Sequence, residues 1–380
     1  IERSFGQDRL ARWHRWAGFT SVNLLLAHVG LTTLGYAADD GTGILGEFWT
    51  LVTTYPGMLL AAAAFALVIL VVVTSIRAAR RRLRYESWHL LHLYAYLGIG
   101  LALPHQLWTG ADFIQSPAAR AYWWTLYIGA TASVLVFRLG LPAWRSLRHQ
   151  IRVDHVGAEA SGVTSVYLRG RDLDRLPVRA GQFFLWRFLD GPGWSRAHPY
   201  SLSAPPQQNR LRITVKNLGD GSAQVARLRP GTRVLVEGPY GRLTGESYRG
   251  RGVTMLASGV GITPLLGLLW ELPYRPGEAV LIYRASSAAD LAFRGELDDL
   301  AARRGVTTHL LLGPRAGRPS WVPGDAAHLS DVDVLRRLSP GVAAHDVYVC
   351  GPDQWADTAV AAVHGAGVAV DRIHRERFSW

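Results

Sequence analysis

Cysteine is almost absent from this chain. Cys350 stands alone among 380 residues. That excludes an internal disulfide, a cysteine-built zinc site, an iron–sulfur cluster and covalent CxxCH haem attachment. There is no internal repeat and no low-complexity tract beyond the alanines of 61–64. Charge is missing from four long stretches, 17–38, 55–76, 87–111 and 121–137, which contain no Asp, Glu, Lys or Arg. A bilayer core requires about 20 consecutive apolar residues per helix, so a soluble all-surface fold is excluded and four membrane helices are predicted.

What charge there is has a pattern. The formal net charge is +12, a value that can signal nucleic-acid binding. Here the arginines cluster at the ends of apolar runs instead: Arg77, Arg80, Arg81, Arg82 and Arg84 in one group, Arg138, Arg145, Arg148 and Arg152 in another. This is membrane topology rather than a nucleic-acid stripe. Asp39, Asp40, Glu47 and Asp112 lie at the opposite ends of the runs. The positive-inside rule then places everything after Arg152 in the cytoplasm of a multi-pass cell-membrane protein. The chain begins with Ile1 rather than Met, and is expected to start inside a longer protein with further helices upstream.

Beyond residue 151 the pattern changes. Short alternating segments at 165–169, 182–187, 211–216 and 233–237, separated by Gly, Pro and Asp, read as an antiparallel β-barrel. From about 252, apolar strands alternate with helices, as in an open α/β sheet. The expected fold is a transmembrane helical bundle (1–150), a β-barrel (151–248) and an α/β nucleotide-binding domain (249–380).

Histidines stand inside the uncharged stretches, where an ionisable group is costly and marks a functional site. His14 and His28 are fourteen residues apart, about 21 Å of helix and within about 40° of one face. His92 and His105 are thirteen apart, which an ideal helix would turn about 140° from each other. Pro104, just before His105, can distort that turn. Neutral imidazole suits haem iron, and two facing helices can supply both axial ligands. The predicted pairs are His14 with His92 and His28 with His105, for two haems of the b type; His89 is the rival of His92.

In the soluble half, His198-Pro199-Tyr200-Ser201-Leu202-Ser203 follows a strand, and an aromatic beside a hydroxyl there can flank an isoalloxazine ring. Gly219-Asp-Gly221-Ser222 precedes a helical stretch and can bring backbone N–H groups to a phosphate. Gly259-Val-Gly261-Ile262-Thr263-Pro264 joins a strand to a helix and can cradle a pyrophosphate, although the third glycine of the dinucleotide fingerprint is missing. Arg284 ends the next strand, where an adenosine ribose or 2′-phosphate would lie. Cys350, Gly351 and Pro352 end another, at the ligand side of such a sheet.

These motifs together resemble the ferric reductase/NADPH oxidase superfamily, in its bacterial form, and residues 152–380 resemble the ferredoxin-NADP reductase module. HPYSLS is similar to the HPFTLT flavin motif, and GVGITP and CGP are similar to the nicotinamide motifs. Soluble reductases carry an Arg where His198 stands, which leaves Arg196 or another base for the flavin phosphates. YESWHLLHLYAYLGIGLALPH resembles the helix whose haem histidines are thirteen apart, implying His92 and His105 over His89, and the first stretch resembles the one carrying His14 and His28. The C-terminal Glu376-Arg-Phe378-Ser-Trp380 resembles the aromatic end that covers the flavin, by Phe378 or Trp380. The resemblance implies an NAD(P)H-dependent oxidoreductase using FAD, NADPH or NADH, and two haem b, with Ser201, Cys350, Glu376 and Phe378 at the hydride-transfer site. The external acceptor would be a ferric chelate or O₂. The rival expectations are superoxide production, a flavin reductase merely anchored by its helices, and a haem sensor with a degenerate reductase domain.

Overall fold

The computed structural model describes residues 7–80, 82, 85–191, 193–326 and 328–376. The chain divides into two compact units, 8–135 and the part from Val136 onward.

The first unit is helical: α1 (Gln7–Asp40), α2 (Ile44–Thr54), α3 (Met58–Ser75), α4 (Tyr85–Thr109) and α5 (Pro117–Val134). A helix satisfies every interior backbone group within itself, as lipid demands. The polar side chains follow the same rule: Thr33, Thr53 and Thr74 each donate to the carbonyl four residues back, at 2.8 Å. α5 opens with Ser116 accepting the Ala119 N–H at 3.2 Å and with Pro117 in its first turn. α3 opens at Gly57, whose φ is 80°. A Cβ on Gly57 would lie 2.7 Å from the backbone nitrogen of His105, so only glycine lets α3 start against α4.

Among the described residues, three helical segments are long and apolar enough to cross a membrane: Arg9–Asp40, Met58–Ser75 and Pro117–His149. The fourth predicted stretch forms α4, 25 residues long and about 37 Å in length. It falls outside that set because His89, His92, His105, Tyr94, Tyr96 and Gln106 dilute its apolar character. Phe19, Leu31, Ile99 and Ile128 are exposed on these helices, a surface suited to lipid rather than to water.

In the second unit a π-helical turn (Leu135–Gly140) precedes α6 (Leu141–His149). α6 is fixed to β6 (Val234–Tyr240): Ser146 Oγ accepts the Val236 N–H at 3.2 Å, and Arg145 donates to the Gly238 carbonyl. Two antiparallel sheets follow, with the short helix α7 (Asp220–Val225) after their fifth strand. One joins β1 (Arg152–Ala160), β2 (Val163–Arg169) and β5 (Arg210–Lys216); the other joins β4 (His198–Ser201), β3 (Phe183–Phe188) and β6. Single bridges, Leu202 to Ile213 and Arg152 to Arg233, link them at both edges; the expected barrel takes the form of two three-stranded antiparallel sheets. Alternation puts Val153, Val166, Phe184, Trp186 and Ile213 into the shared core. The indole of Trp186 donates to the Tyr200 carbonyl at 2.8 Å, which ties that core to β4.

The α/β part is a five-stranded parallel sheet in the order β11-β10-β7-β8-β9: Ile373–Glu376, Asp346–Cys350, Val253–Ser258, Ala279–Ala285 and Thr307–Leu312. β8 and β10 are buried at every residue, as expected of strands covered on both faces. The helices α8 (Ile262–Glu271), α9 (Arg294–Arg304), α10 (Asp331–Leu338) and α11 (Asp353–Gly365) provide that cover. The chain leaves β7 toward β8 and later returns on its other side at β10. The crevice at that reversal is where such sheets bind ligands. Arg212 on β5 grips Glu296 on α9 at 2.8 and 3.2 Å, joining the two β regions.

Replacing Trp186 with Ala should cost about 3–5 kcal/mol. In a thermal melt of the intact chain this lowers the midpoint of the second unit by on the order of 10 °C.

Candidate functional site

The helical unit brings the predicted histidines together in two places. His14 on α1 and His92 on α4 face each other with ring centroids 5.8 Å apart and planes at 72°. His28 and His105 line one cavity of about 720 Å³, walled by Leu25, Val52, Phe65 and Val68. Pro104 lies within α4, and both His92 and His105 turn toward α1 histidines despite their ideal-helix phase. Two hydroxyls complete the arrangement. Ser75 Oγ is 3.3 Å from His92 Nδ1, and Thr109 Oγ1 is 2.8 Å from His105 Nδ1. A ring held at Nδ1 presents Nε2 to a metal. With metal–nitrogen bonds of about 2 Å, the 5.8 Å centroid spacing of His14 and His92 is within about half an ångström of what two imidazoles sharing one metal need. The residues thus fit bis-histidine haem ligation. Sequence reasoning missed both hydroxyls. Thr109 was within reach as the residue four after His105; Ser75, on another helix, carried no signal.

In the second unit the flavin residues lie on and beside β4. The Tyr200 ring stacks parallel to His198, with centroids 5.8 Å apart, and burial pushes its phenol up to about 12. Gly221 abuts the His198 ring. His198 and Gly221 share a cleft of about 210 Å³ with Arg196, Gln224, Arg227 and Arg229, a basic setting for a pyrophosphate. Arg227 and Arg229 had no motif to announce them. Ser222 turns inward on its own loop, accepting from Leu218 N at 2.8 Å and donating to the Gly219 carbonyl at 2.9 Å. Ser201 Oγ is buried without a hydrogen-bond partner among the described residues. A buried orphan hydroxyl carries a penalty of about 1–3 kcal/mol, so it marks a place where a polar ligand edge fits. Pro199 pairs with Leu185 and Leu202 bridges to Ile213, which holds the strand in place.

Ser201 pairs with Phe183 across the sheet, and Phe183 reaches the neighbourhood of Gly241 and Glu376. Glu376 is the register partner of Cys350. Ser201, Glu376 and Cys350 thus come from three strands to one region. Phe378 and Trp380 lie outside the described residues. Cys350 is fully buried, and burial, with Glu376 adding to it, raises its thiol well above the ordinary value of 9.0. It is a neutral thiol, not a thiolate nucleophile.

The nucleotide loop runs from Ser258 at the end of β7 through a 3₁₀ turn (Gly259–Gly261) into α8. A Cβ on Gly261 would overlap the Cys350 carbonyl. This is why glycine stands there: it lets the loop close on the end of β10. Thr263 donates to the Val260 carbonyl, capping the turn, and Ile262 and Pro264 pack in the core. Gly351 sits against Trp355 and Ser258, and Pro352 caps α11. Arg284 is buried and donates to backbone carbonyls of Ala285, Leu311, Gly313 and Pro314, the last two at 2.8 and 3.0 Å. Its donors hold the loop after β9 rather than facing a cleft.

This combination of an apolar helical unit with paired histidines and a two-part flavin and nucleotide module defines a class, the membrane oxidoreductases. Residues 2–103 match the ferric reductase like transmembrane component, and residues 255–361 match the oxidoreductase NAD-binding domain. The chain thus carries a segment similar to a ferric-reductase-like transmembrane component ahead of one similar to an NAD-binding oxidoreductase domain. It is 32% identical over 213 residues to the ferredoxin reductase component of 3-ketosteroid-9-alpha-monooxygenase from Mycolicibacterium smegmatis, covering 54% of this chain and 57% of that protein. It is 30% identical over 252 residues to the flavohemoprotein of Bordetella pertussis, covering 63% of this chain and 61% of that one. The chain therefore spans less than two thirds of either relative. The flavohem-like FAD/NAD-binding domain of nitric oxide dioxygenase from Vibrio cholerae superposes with a TM-score of 0.48 at 23% identity, over 61% of this chain and 99% of that one.

The buried thiol gives a pH-dependent expectation. Its folded pKa is raised above the unfolded one, so its contribution to stability is full below pH 9 and declines as pH rises from there. Iodoacetamide at pH 8 should alkylate Cys350 at least about tenfold more slowly in the native chain than in denaturant; equal rates would contradict the buried, protonated thiol.

Proposed function

We propose that this chain is a membrane flavocytochrome that carries electrons from cytoplasmic NAD(P)H, by way of FAD and two b-type haems, to an acceptor across the membrane, with ferric iron favoured. The observation that carries this reading is the pair of histidine sites in one apolar unit, His14 with His92 and His28 with His105, two of whose rings have Nδ1 within hydrogen-bonding distance of a hydroxyl. When bound, FAD converts two-electron hydride delivery into single electrons, and haem iron relays single electrons.

The chain's residues take these parts. The loop Gly259–Gly261, with Gly351 and Pro352, receives the dinucleotide and brings its nicotinamide end toward Cys350. Ser201 offers its hydroxyl to the polar edge of the flavin, Tyr200 and His198 flank it, and Arg196, Arg227 and Arg229 meet its phosphates. The neutral Cys350 and the nearby Glu376 fill the space where hydride passes and exclude water from it. His14 and His92 would hold the inner haem iron, and His28 and His105 the outer one. The arginine clusters near 77–84 and 138–152 favour a cytoplasmic reductase module.

The test is a reduced-minus-oxidised spectrum of the purified chain with a haem-to-flavin ratio. The reading expects b-type haem near two per FAD. It also expects His28→Ala or His105→Ala to lose one haem while keeping FAD and NAD(P)H–dye reduction. Absence of any b-type signal would overturn it. Because Arg284 is engaged by carbonyls, Arg284→Ala should leave the ratio of kcat/KM for NADPH and NADH within about twofold while lowering thermal stability.

A further inference from the structure

The second unit holds a cavity that none of the redox residues uses. Its volume is about 710 Å³, and its walls are the π-helical turn, α6, the end of β3 and the face of β6 beside them. Leu139, Pro142, Leu147, Leu189 and Leu235 give it an apolar lining. Four arginines also line it, Arg138, Arg152, Arg187 and Arg233, against a single carboxylate, Glu237.

That carboxylate is already taken. Arg138 reaches Glu237 at 2.6 Å and Arg187 reaches it at 3.4 Å, and the Tyr240 hydroxyl donates to it at 2.9 Å. Arg152 donates to the neutral carbonyl of Gly231 at 3.1 Å. The guanidinium of Arg233 has no hydrogen bond or ion pair among the described residues. Two positive charges are thus left without a counter-charge in partly apolar surroundings. Arg233 is exposed and Arg152 half-buried, so water reaches both, and together they form a cationic edge that an anion can bridge.

The lining tells which anion. A free inorganic ion would leave most of the apolar wall uncovered, whereas an amphiphile satisfies both parts. The helical wall is also the end of Pro117–His149, one of the segments long and apolar enough to cross a membrane. On α6, Trp144 is 52% and Leu147 75% exposed, and the Arg148 guanidinium lies 5.2 Å over the Trp144 ring. Tryptophan, leucine and arginine together on one short helix are the composition of a headgroup-level anchor.

We propose that this cavity binds one anionic phospholipid, with its phosphate between Arg152 and Arg233 and the start of its acyl chains against Leu139, Leu147 and Leu235. The proposal rests on the membrane reading but not on haem. A chain found without haem would leave it standing, and the experiment reads lipid alone.

The experiment uses the intact chain, stripped of lipid in neutral detergent. It is titrated separately with dioleoyl phosphatidylglycerol, dioleoyl phosphatidylcholine and inorganic phosphate, with bound lipid counted by native mass spectrometry and stability followed by melting. The expected result is one phosphatidylglycerol per chain and a raised melting midpoint, with neither effect from the other two. The double variant Arg152→Glu/Arg233→Glu should bind phosphatidylglycerol at least about tenfold more weakly. FAD content and NAD(P)H–dye reduction should stay unchanged. Arg233→Gln, a milder change, should also weaken binding, and serves if the double variant loses its FAD. Phosphatidylcholine binding as tightly as phosphatidylglycerol, phosphate alone giving the same stabilisation, or Arg233→Gln binding like the parent chain would each overturn the proposal.

Discussion

An imidazole inside an apolar helix must be partnered, and that requirement organises the helical unit. Water is not there to solvate it, and a charged form would be costlier still. α1 and α4 answer by facing their histidines toward each other, His14 to His92 and His28 to His105 into one cavity. The remaining details serve that approach. Gly57 lets α3 begin against the backbone of His105. Ser75 and Thr109 occupy the Nδ1 side of two rings, which leaves the opposite nitrogen available as a ligand.

The second unit meets a different constraint, that of closing two β regions around ligands with little room to spare. Gly261 accepts the Cys350 carbonyl where any side chain would collide. Arg212 clamps β5 to α9 through Glu296, which also takes the Trp270 indole at 2.7 Å. The clamp sets the distance between the strand carrying Ser201 and the strands carrying Cys350 and Glu376. The hydroxyl of Ser201 is buried there without a hydrogen-bond partner among the described residues.

Much of this was readable in the sequence because it rests on local rules. Uncharged runs, strand alternation and glycine turns each report a short-range constraint, and they placed the helices, the antiparallel β region and the parallel sheet. The features that escaped depend on tertiary contact. Arg284 sits where a nucleotide phosphate was expected, yet its guanidinium is consumed by carbonyls of a loop about 30 residues away in the chain. Ser222 satisfies its own turn instead of opening toward a phosphate. The phase of His92 and His105 could not be judged from ideal geometry. The polar residues that make α4 chemically interesting also weaken its hydropathy, so a helix with two of the four predicted ligands is the least conspicuous as a span.

The account stands or falls on electrons crossing the bilayer. The direct measurement reconstitutes the chain into sealed vesicles with the reductase module outward and a membrane-impermeant ferric chelate trapped inside. NAD(P)H is then added outside. The account predicts reduction of the trapped chelate, abolished by His28→Ala or His105→Ala while an external dye is still reduced. Reduction of the external dye alone, with the trapped chelate untouched by the parent chain, would contradict it.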